Sequence, residues 1–324
     1  MPHVIRIHEH GGPEVLRWEE VQLQQPGPGE VLLHQTAVGL NYTDVYTRSG
    51  LYPASLPTGL GSEAAGVVAA VGAGVTVVKP GDRVAYGNAP VGSYAEARLI
   101  PADRLLALPD GIPDTTAAAM MLKGLTAQYL LRQTYEVKRG DTILCHAAAG
   151  GVGLIVCQWA KHLGATVIGT VSSDEKAALA RAHGCDHPIV YTREDFPRRV
   201  LEITGGGKLP VVYDSVGKDT FMKSLDCLAP RGLMVSFGNS SGPVESFGLG
   251  ILASKGSLYL TRPTLGTYGA KRENLVAMAS DLFDVVLTGA VRIEVNQTYP
   301  LKEAARAHRD LEARKTTGST VLLV

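Results

Sequence analysis

The chain has 324 residues, enough for one large or two ordinary domains with a substantial core. Hydrophobic residues make up 45% and charged ones 19%, and 31 Lys plus Arg balance 31 Asp plus Glu, which argues against a global basic field that would draw nucleic acid or anionic membrane. Four scattered cysteines (Cys145, Cys157, Cys185, Cys227) form no Cys-x-x-Cys, so the expectation is no disulfide framework, no structural zinc cluster and a reducing cytoplasm.

No apolar run reaches membrane-span length, and the N-terminal Met1-Pro2-His3-Val4 lacks a signal-peptide core. The first hundred residues read as β-rich. Short β-prone runs at Val4 to Ile7, Val31 to Val38, Ala64 to Val71, Arg83 to Tyr86 and Tyr94 to Ile100 alternate with punctuation such as Pro26-Gly27-Pro28-Gly29 and Lys79-Pro80-Gly81-Asp82. Spacing of that kind predicts a barrel-like or sandwich-like unit. Thr115 to Met121 and Leu125 to Arg132 are helix-prone. They lead to an apolar strand, Thr142 to Cys145, a small-residue turn from Ala147 to Gly153, and a helical pattern through Trp159 to Leu163.

After that point β and α alternate. Ala165 to Val171, His187 to Tyr191, Pro210 to Asp214, Leu233 to Phe237 and Ser257 to Thr261 are strand-like, whereas Asp174 to His183, Arg198 to Ile203 and Thr220 to Leu228 are helical. The alternation predicts an α/β fold: a doubly wound parallel sheet with helices on both faces. Glu273 to Thr288 and Leu301 to Arg314 then read as helices, with β-prone runs at Val291 to Val295 and Gly318 to Val324. Two late strands are too few to extend a nucleotide-binding sheet, so they are expected to return and complete the first domain.

The strand, turn and helix around Ala148-x-Gly150-x-x-Gly153 carry the strongest chemical signal, although alanine stands where the first glycine usually sits. Gly150 lets backbone approach a pyrophosphate and Gly153 lets helix pack on strand, while the amides of Gly151, Val152 and Gly153 open the helix toward an anion. An acid about 20 residues further on would mark a preference for NAD. Val171, Ser172 and Ser173 hold that place instead, with Lys176 one helical turn on and Tyr191 ending the next strand. These residues favour NADPH, although Asp174 and Glu175 also lie within reach of a ribose.

Through Gly140-Asp141, Leu144, Ala148-Ala149-Gly150-Gly151, Gly153, Gln158 and Lys161 the chain resembles the medium-chain dehydrogenase/reductase superfamily, and within it the zinc-free quinone oxidoreductases of the zeta-crystallin type. Gly39 to Asp44, Arg48 to Pro53, Lys123 to Thr126, Val212 to Gly217 and Ser236 to Gly242 match in kind, so the likeness covers essentially the whole chain. The resemblance implies a Rossmann domain (123–262) inserted into a GroES-like catalytic domain (1–122, completed by 263–324). It also implies a homodimer through the Rossmann sheet edge at Ser257 to Thr261, and NADPH:quinone oxidoreductase activity. It assigns Lys176 and Tyr191 to the 2′-phosphate.

Zinc enzymes of the superfamily place a cysteine and a histidine where this chain has Asn41 and Ser62, neither of which is a competent zinc ligand, so no metal is expected. His3, His8 and His10 lack partners for a metal site and are read as solvated or capping residues. Without a Lewis acid, acceptors that take hydride readily, quinones and activated enones, are favoured. Asn41 and Tyr46 lead the candidates to stabilise the reduced oxygen, followed by Tyr52 and Arg262, with Asn41 and Tyr46 also counted as cofactor contacts. His146 is read as a structural hydrogen-bonding residue. Further cofactor contacts are expected from Thr126, Tyr129, Ser215, Val216, Phe237, Gly238, Asn239, Ser240, Pro263, Thr264, Leu265 and Thr317. The alternatives are an enone or enoyl-thioester reductase of the same superfamily and, in another class, a crystallin-like structural or RNA-binding protein; the balanced charge argues against strong RNA binding.

Overall fold

Gly/Pro punctuation cuts the first part of the chain into short strands that pair mainly with distant partners. The computed structural model describes residues 1–88 and 90–324. Strands β1 (His3–Ile7), β2 (Arg17–Glu20) and β3 (Glu30–Leu40) are followed by helix α1 (Tyr42–Ser49), then β4 (Thr58–Gly59), β5 (Glu63–Val71), β6 (Arg83–Gly87), β7 (Ala97–Pro101) and β8 (Leu106–Ala107). Helix α2 (Asp114–Tyr129) leads out of this region. Next come β9 (Thr142–Cys145), α3 (Gly151–His162), β10 (Thr166–Val171), α4 (Asp174–Ala182), β11 (His187–Val190), α5 (Phe196–Ile203), β12 (Leu209–Asp214) and α6 (Phe221–Ser224). β13 (Leu228–Ser236), α7 (Gly250–Ser254), β14 (Tyr259–Thr261) and α8 (Leu265–Tyr268) follow, and α9 (Arg272–Leu287), β15 (Val295–Pro300), α10 (Ala304–Glu312) and β16 (Ser319–Leu323) close the chain.

Two compact units result. The first comprises 1–125, 269–287 and 293–324, the second 126–268 and 288–292. In the first, β3 is the spine. It pairs antiparallel with β5, β7 and β16, with Leu40 opposite Thr320 and Val31 opposite Val71. Val31, Leu33 and Gln35 are buried while His34 and Thr36 face out, the period of two expected of a half-covered strand. Ile5, Ile7, Leu33, Leu60, Tyr86 and Ile100 fill the core beneath.

The second unit has, among the described residues, a parallel six-stranded sheet in the order β11-β10-β9-β12-β13-β14. Ile143, Leu144 and Cys145 of central β9 are wholly buried, because both faces of such a sheet are covered. β13, pairing with β14 on one side and β12 on the other, begins at Leu228 rather than Leu233.

Four departures from the sequence expectations have local causes. The helix-prone runs Thr115 to Met121 and Leu125 to Arg132 join in one continuous helix, α2, which passes into a π-helical turn at Leu130–Thr134. Gly124 does not break it; a Cβ there would stand 2.5 Å from Leu282 Cδ1, so the glycine serves close packing against α9. The strand expected at Val291 to Val295 is β15 instead. Gln158 takes both the Arg292 N–H (2.9 Å) and the Arg292 carbonyl (2.9 Å), which removes them from any ladder. Ser257 lies outside the last parallel strand because it sits at φ 56°, a turn conformation. Helix α1 was not expected, yet Asn41 and Asp44 form its capping box and Gly50 ends it at φ 83°.

A buried polar chain crosses the first unit from that capping box. Asp44 Oδ2 accepts from the Asn41 N–H (2.8 Å) and the Tyr94 hydroxyl (3.0 Å). Tyr94 reaches His308 Nε2 (3.0 Å), whose Nδ1 faces Arg48 Nη1 (2.9 Å), and Arg48 forks onto Glu312 (2.7 and 2.9 Å). Burial pushes the Asp44 carboxyl from 3.8 up to about 7, against the pull of its two donors and of Lys123 and with a small push from Glu63. Burial, then the Arg48 charge, takes His308 from 6.5 down to about 3.

Between about pH 4 and 7 the folded chain therefore keeps a proton on Asp44 that the unfolded chain has released, so this group's contribution to stability falls as pH rises through that window. His308 acts in the opposite sense, and its contribution is lost as pH falls from 6.5 toward 3. Asp44→Asn should remove the first slope alone. Its unfolding free energy relative to the native chain, from urea titrations across that window, should rise with pH by up to about 1.4 kcal/mol per unit; a pH-independent difference would contradict the assignment.

Candidate active site

In the second unit the candidate residues collect at the carboxyl ends of the parallel strands, where open α/β sheets bind ligands. After β9 the backbone turns sharply, with Ala147 at φ 53° and its carbonyl accepting the Gly150 N–H at 2.9 Å. A Cβ on Gly153 would lie 2.3 Å from that carbonyl oxygen and 2.8 Å from Ala148 Cα, so only glycine lets α3 start this close to the strand. Ala148 fits the first-glycine position because Gly169 faces it from β10; a Cβ on Gly169 would stand 2.6 Å from the Ala148 methyl.

The first bond within α3 runs from the Leu154 N–H to the Gly150 carbonyl (2.9 Å), and Gly150 offers no side-chain cap. The amides of Gly151, Val152 and Gly153 thus head the helix with no intrahelical partner, beside the positive end of its dipole. This cradle fits a pyrophosphate. His146, just before it, is buried between the Thr170 hydroxyl (2.8 Å) and the Ser224 hydroxyl (2.8 Å), and burial lowers its pKa, which is the arrangement of a structural histidine.

The next two strand ends interlock around Asp214, which sequence reasoning passed over. Its fully buried carboxylate accepts from the Val216 N–H (2.7 Å), the Gly217 N–H (3.0 Å) and the Thr220 hydroxyl (2.8 and 2.9 Å). That fixes Ser215 and Val216, and the second loop is tied onto them by the Ser240 N–H to the Ser215 carbonyl (3.2 Å). A Cβ on Gly238 would meet that same Ser215 oxygen at 2.4 Å. Arg262 donates to the Ser236 carbonyl (2.9 Å) and, with the Asn239 amide set to satisfy Gly238, to Asn239 as well (3.2 Å). Phe237, Asn239 and Ser240 are half-buried on this rim. Pro263 and Leu265 are buried and Thr264 caps the short helix α8. Thr126 and Tyr129 are buried on α2, with Tyr129 stacked on Tyr268 at 4.6 Å.

Around the end of β10 the chain is hydroxyl-rich. Ser173 caps α4 by accepting the Lys176 N–H (3.3 Å), the Ser172 carbonyl accepts from the Thr192 hydroxyl (3.3 Å), and the Tyr191 N–H bonds the Val171 carbonyl (3.1 Å). Ser172, Ser173, Lys176 and Tyr191 are therefore carried by two segments pinned to each other. Asp174 is held by Arg193, another residue that the sequence did not flag.

The first unit holds the remaining candidates. Asn41 Nδ2 donates to Glu63 Oε1 (2.8 Å), which also takes Lys123 Nζ (2.5 Å), while Glu63 Oε2 takes the Leu122 N–H (2.6 Å). Glu63 has no exposed surface, so Lys123 supplies its counter-charge internally. Tyr46 packs on Tyr52 edge-on (5.1 Å) and beside Tyr42 (6.1 Å), bringing three of the predicted residues, Asn41, Tyr46 and Tyr52, onto or beside α1. Thr317 accepts from Asn296 Nδ2 (2.9 Å) before β16. His3, His8 and His10 diverge, onto Glu96, Glu19 and the Arg48 carbonyl. Among the described residues no helix is long and apolar enough to cross a membrane.

Comparison with known proteins gives two family matches, "Alcohol dehydrogenase GroES-like domain" over residues 27–110 and "Zinc-binding dehydrogenase" over 151–281. The chain is 62% identical to a quinone oxidoreductase of Pseudomonas aeruginosa, over 98% of each chain. It is 49% identical to a 2-haloacrylate reductase of a Burkholderia species, over 98% of this chain and 97% of the relative. The crystal structure of Escherichia coli quinone oxidoreductase complexed with NADPH superposes with a TM-score of 0.98 at 52% identity, covering 99% and 100% of the two chains. With a GroES-like fold in its first unit, a Rossmann sheet in its second and end-to-end identity at this level, the chain belongs to the quinone oxidoreductase family of the medium-chain dehydrogenase/reductase superfamily.

Proposed function

We propose that this protein reduces quinones with NADPH by hydride transfer, without a metal. The observation that carries the reading is the end-to-end likeness to quinone oxidoreductases, one of them complexed with NADPH. The strand end at β10 supports the cofactor choice. It offers Ser172 and Ser173 in place of an acid, and Lys176 and Tyr191 can neutralise and bond a 2′-phosphate. The amides of Gly151, Val152 and Gly153 would hold the pyrophosphate. The rim formed by Ser215, Val216, Phe237, Gly238, Asn239, Ser240, Pro263, Thr264 and Leu265, with Thr126, Tyr129 and Thr317, would supply the remaining contacts.

When bound, NADPH supplies the hydride. The protein's part is to orient the acceptor, exclude water and stabilise the phenolate-like oxygen that a reduced quinone acquires. Asn41, Tyr46, Tyr52 and Arg262 are the candidates for that last task. Glu63 and Lys123 support a metal-free reaction: the carboxylate already has an internal counter-charge, and one N–H of the Asn41 amide donates to it, leaving the other for a substrate oxygen. Residues 1–122 with 263–324 would form the catalytic domain and 123–262 the cofactor domain. The exposed Tyr259 and Leu260 on the sheet edge at β14 support a homodimer through that edge. Four buried, unpaired cysteines support a reducing cytoplasm.

The identity to a 2-haloacrylate reductase favours a second reading, reduction of an activated alkene on the same scaffold. Initial rates with NADPH against quinones, 2-haloacrylates and enoyl thioesters separate the two. Quinone turnover should dominate, and its absence would overturn the main reading. Lys176→Ala should raise KM for NADPH several-fold more than for NADH, as loss of one charge pairing at a phosphate implies, by about 1 kcal/mol; equal losses would remove Lys176 from the site. Gly153→Ala forces a methyl against the Ala147 carbonyl and should cost about 1–3 kcal/mol of stability together with most cofactor affinity, read by urea unfolding and by nucleotide titration.

A further inference from the structure

We propose that Arg193 determines cofactor specificity indirectly, by occupying Asp174 so that this carboxylate neither serves the ribose hydroxyls of NADH nor repels the 2′-phosphate of NADPH. The inference deepens the cofactor reading above and rests on it.

Asp174 is the first residue of α4, directly after the two serines that follow β10 and two residues before Lys176. Left to itself it is the nearest acid to the place where NAD-preferring sheets carry one. Arg193 takes both of its oxygens, Nη1 to Oδ2 at 2.7 Å and Nη2 to Oδ1 at 2.5 Å, the planar fork that only arginine offers. The turn that carries Arg193 is fixed against the same strand end. The Tyr191 N–H bonds the Val171 carbonyl, the Thr192 hydroxyl bonds the Ser172 carbonyl (3.3 Å), and the Arg193 N–H returns to Val190 (3.1 Å).

The pair is open to solvent on both sides, 58% for the guanidinium and 67% for the carboxylate, so it contributes little to folding. Its consequence is local and electrostatic. The Asp174 carboxyl is held below its usual range by the Arg193 bond, and the neighbouring Glu175 is lowered likewise by the Ser173 hydroxyl and its own backbone amide. Both acids at the head of α4, one and two residues before Lys176, are thereby engaged within the protein.

The test isolates the 2′-phosphate by calorimetric titration of the whole protein with adenosine 2′,5′-bisphosphate and with AMP. The native chain should prefer the bisphosphate. Arg193→Ala should lower that preference by about fivefold, the size of an exposed charge interaction. Adding Asp174→Ala to Arg193→Ala should restore it, and the loss in the single variant should shrink as salt is raised. The ratio of NADPH to NADH turnover should move in the same order. A double variant as impaired as Arg193→Ala would show that Arg193 touches the phosphate itself and would overturn the shielding role, as would an unchanged preference in Arg193→Ala. If the native chain shows no preference, the cofactor reading falls first and this inference with it.

Discussion

A carboxylate buried as completely as Glu63 must find its counter-charge inside the protein, and much of the first unit is arranged around that requirement. Three donors meet it from two other segments: the Asn41 amide at the head of α1, and the Lys123 ammonium and Leu122 N–H within α2. Gly39 lacks a side chain because a Cβ there would lie 2.2 Å from Glu63 Oε1 and 2.2 Å from the Ala118 carbonyl. The end of β3, the start of α1, the start of β5 and the middle of α2 are thus specified together. Removing one donor would leave charge stranded in a dry interior, where its cost is highest. The same cluster fixes Asn41, so the residue that stands where zinc enzymes carry a ligand is here part of the frame.

Elements whose chemistry is local were legible in the sequence. The Gly/Pro spacing announced the short strands, the β–α alternation announced the parallel sheet, and Gly150 and Gly153 announced the cradle. The Asn41–Asp44 capping box is equally local, yet α1 is not among the expected helices, because the Gly39 to Asp44 stretch reads as a family motif. What stayed hidden were pairings between distant residues. Nothing near Asp174 points to Arg193, nothing near Glu63 points to Lys123, and Asp214 reads as one more acid at a strand end until its four bonds are seen. Val291 to Val295 has the composition of a strand, but the backbone of Arg292 is taken by Gln158, a competition that β propensity does not register.

The cradle also shows how a departure from a motif is absorbed. Alanine at position 148 is tolerated because the facing position on the neighbouring strand, Gly169, carries no side chain. Ala147 adopts the left-handed conformation at the turn itself, which is uncommon for a residue with a side chain. The geometry of the phosphate approach therefore depends on Gly153, where the contact is backbone to backbone, more than on the full glycine triplet.

The pairing of β3 with β16 has a consequence for how the protein is made. Leu40 must find Thr320, and every residue of the second unit is synthesised between them. The sheet of the second unit is built from neighbouring βα segments whose closures are short, so it can assemble while the Ala37–Leu40 end of β3, beyond the stretch that β7 covers, still lacks its β16 partner. That short edge, with its buried Val38 and Leu40, is open to intermolecular strand pairing until β16 (Ser319–Leu323) has been made and covers it.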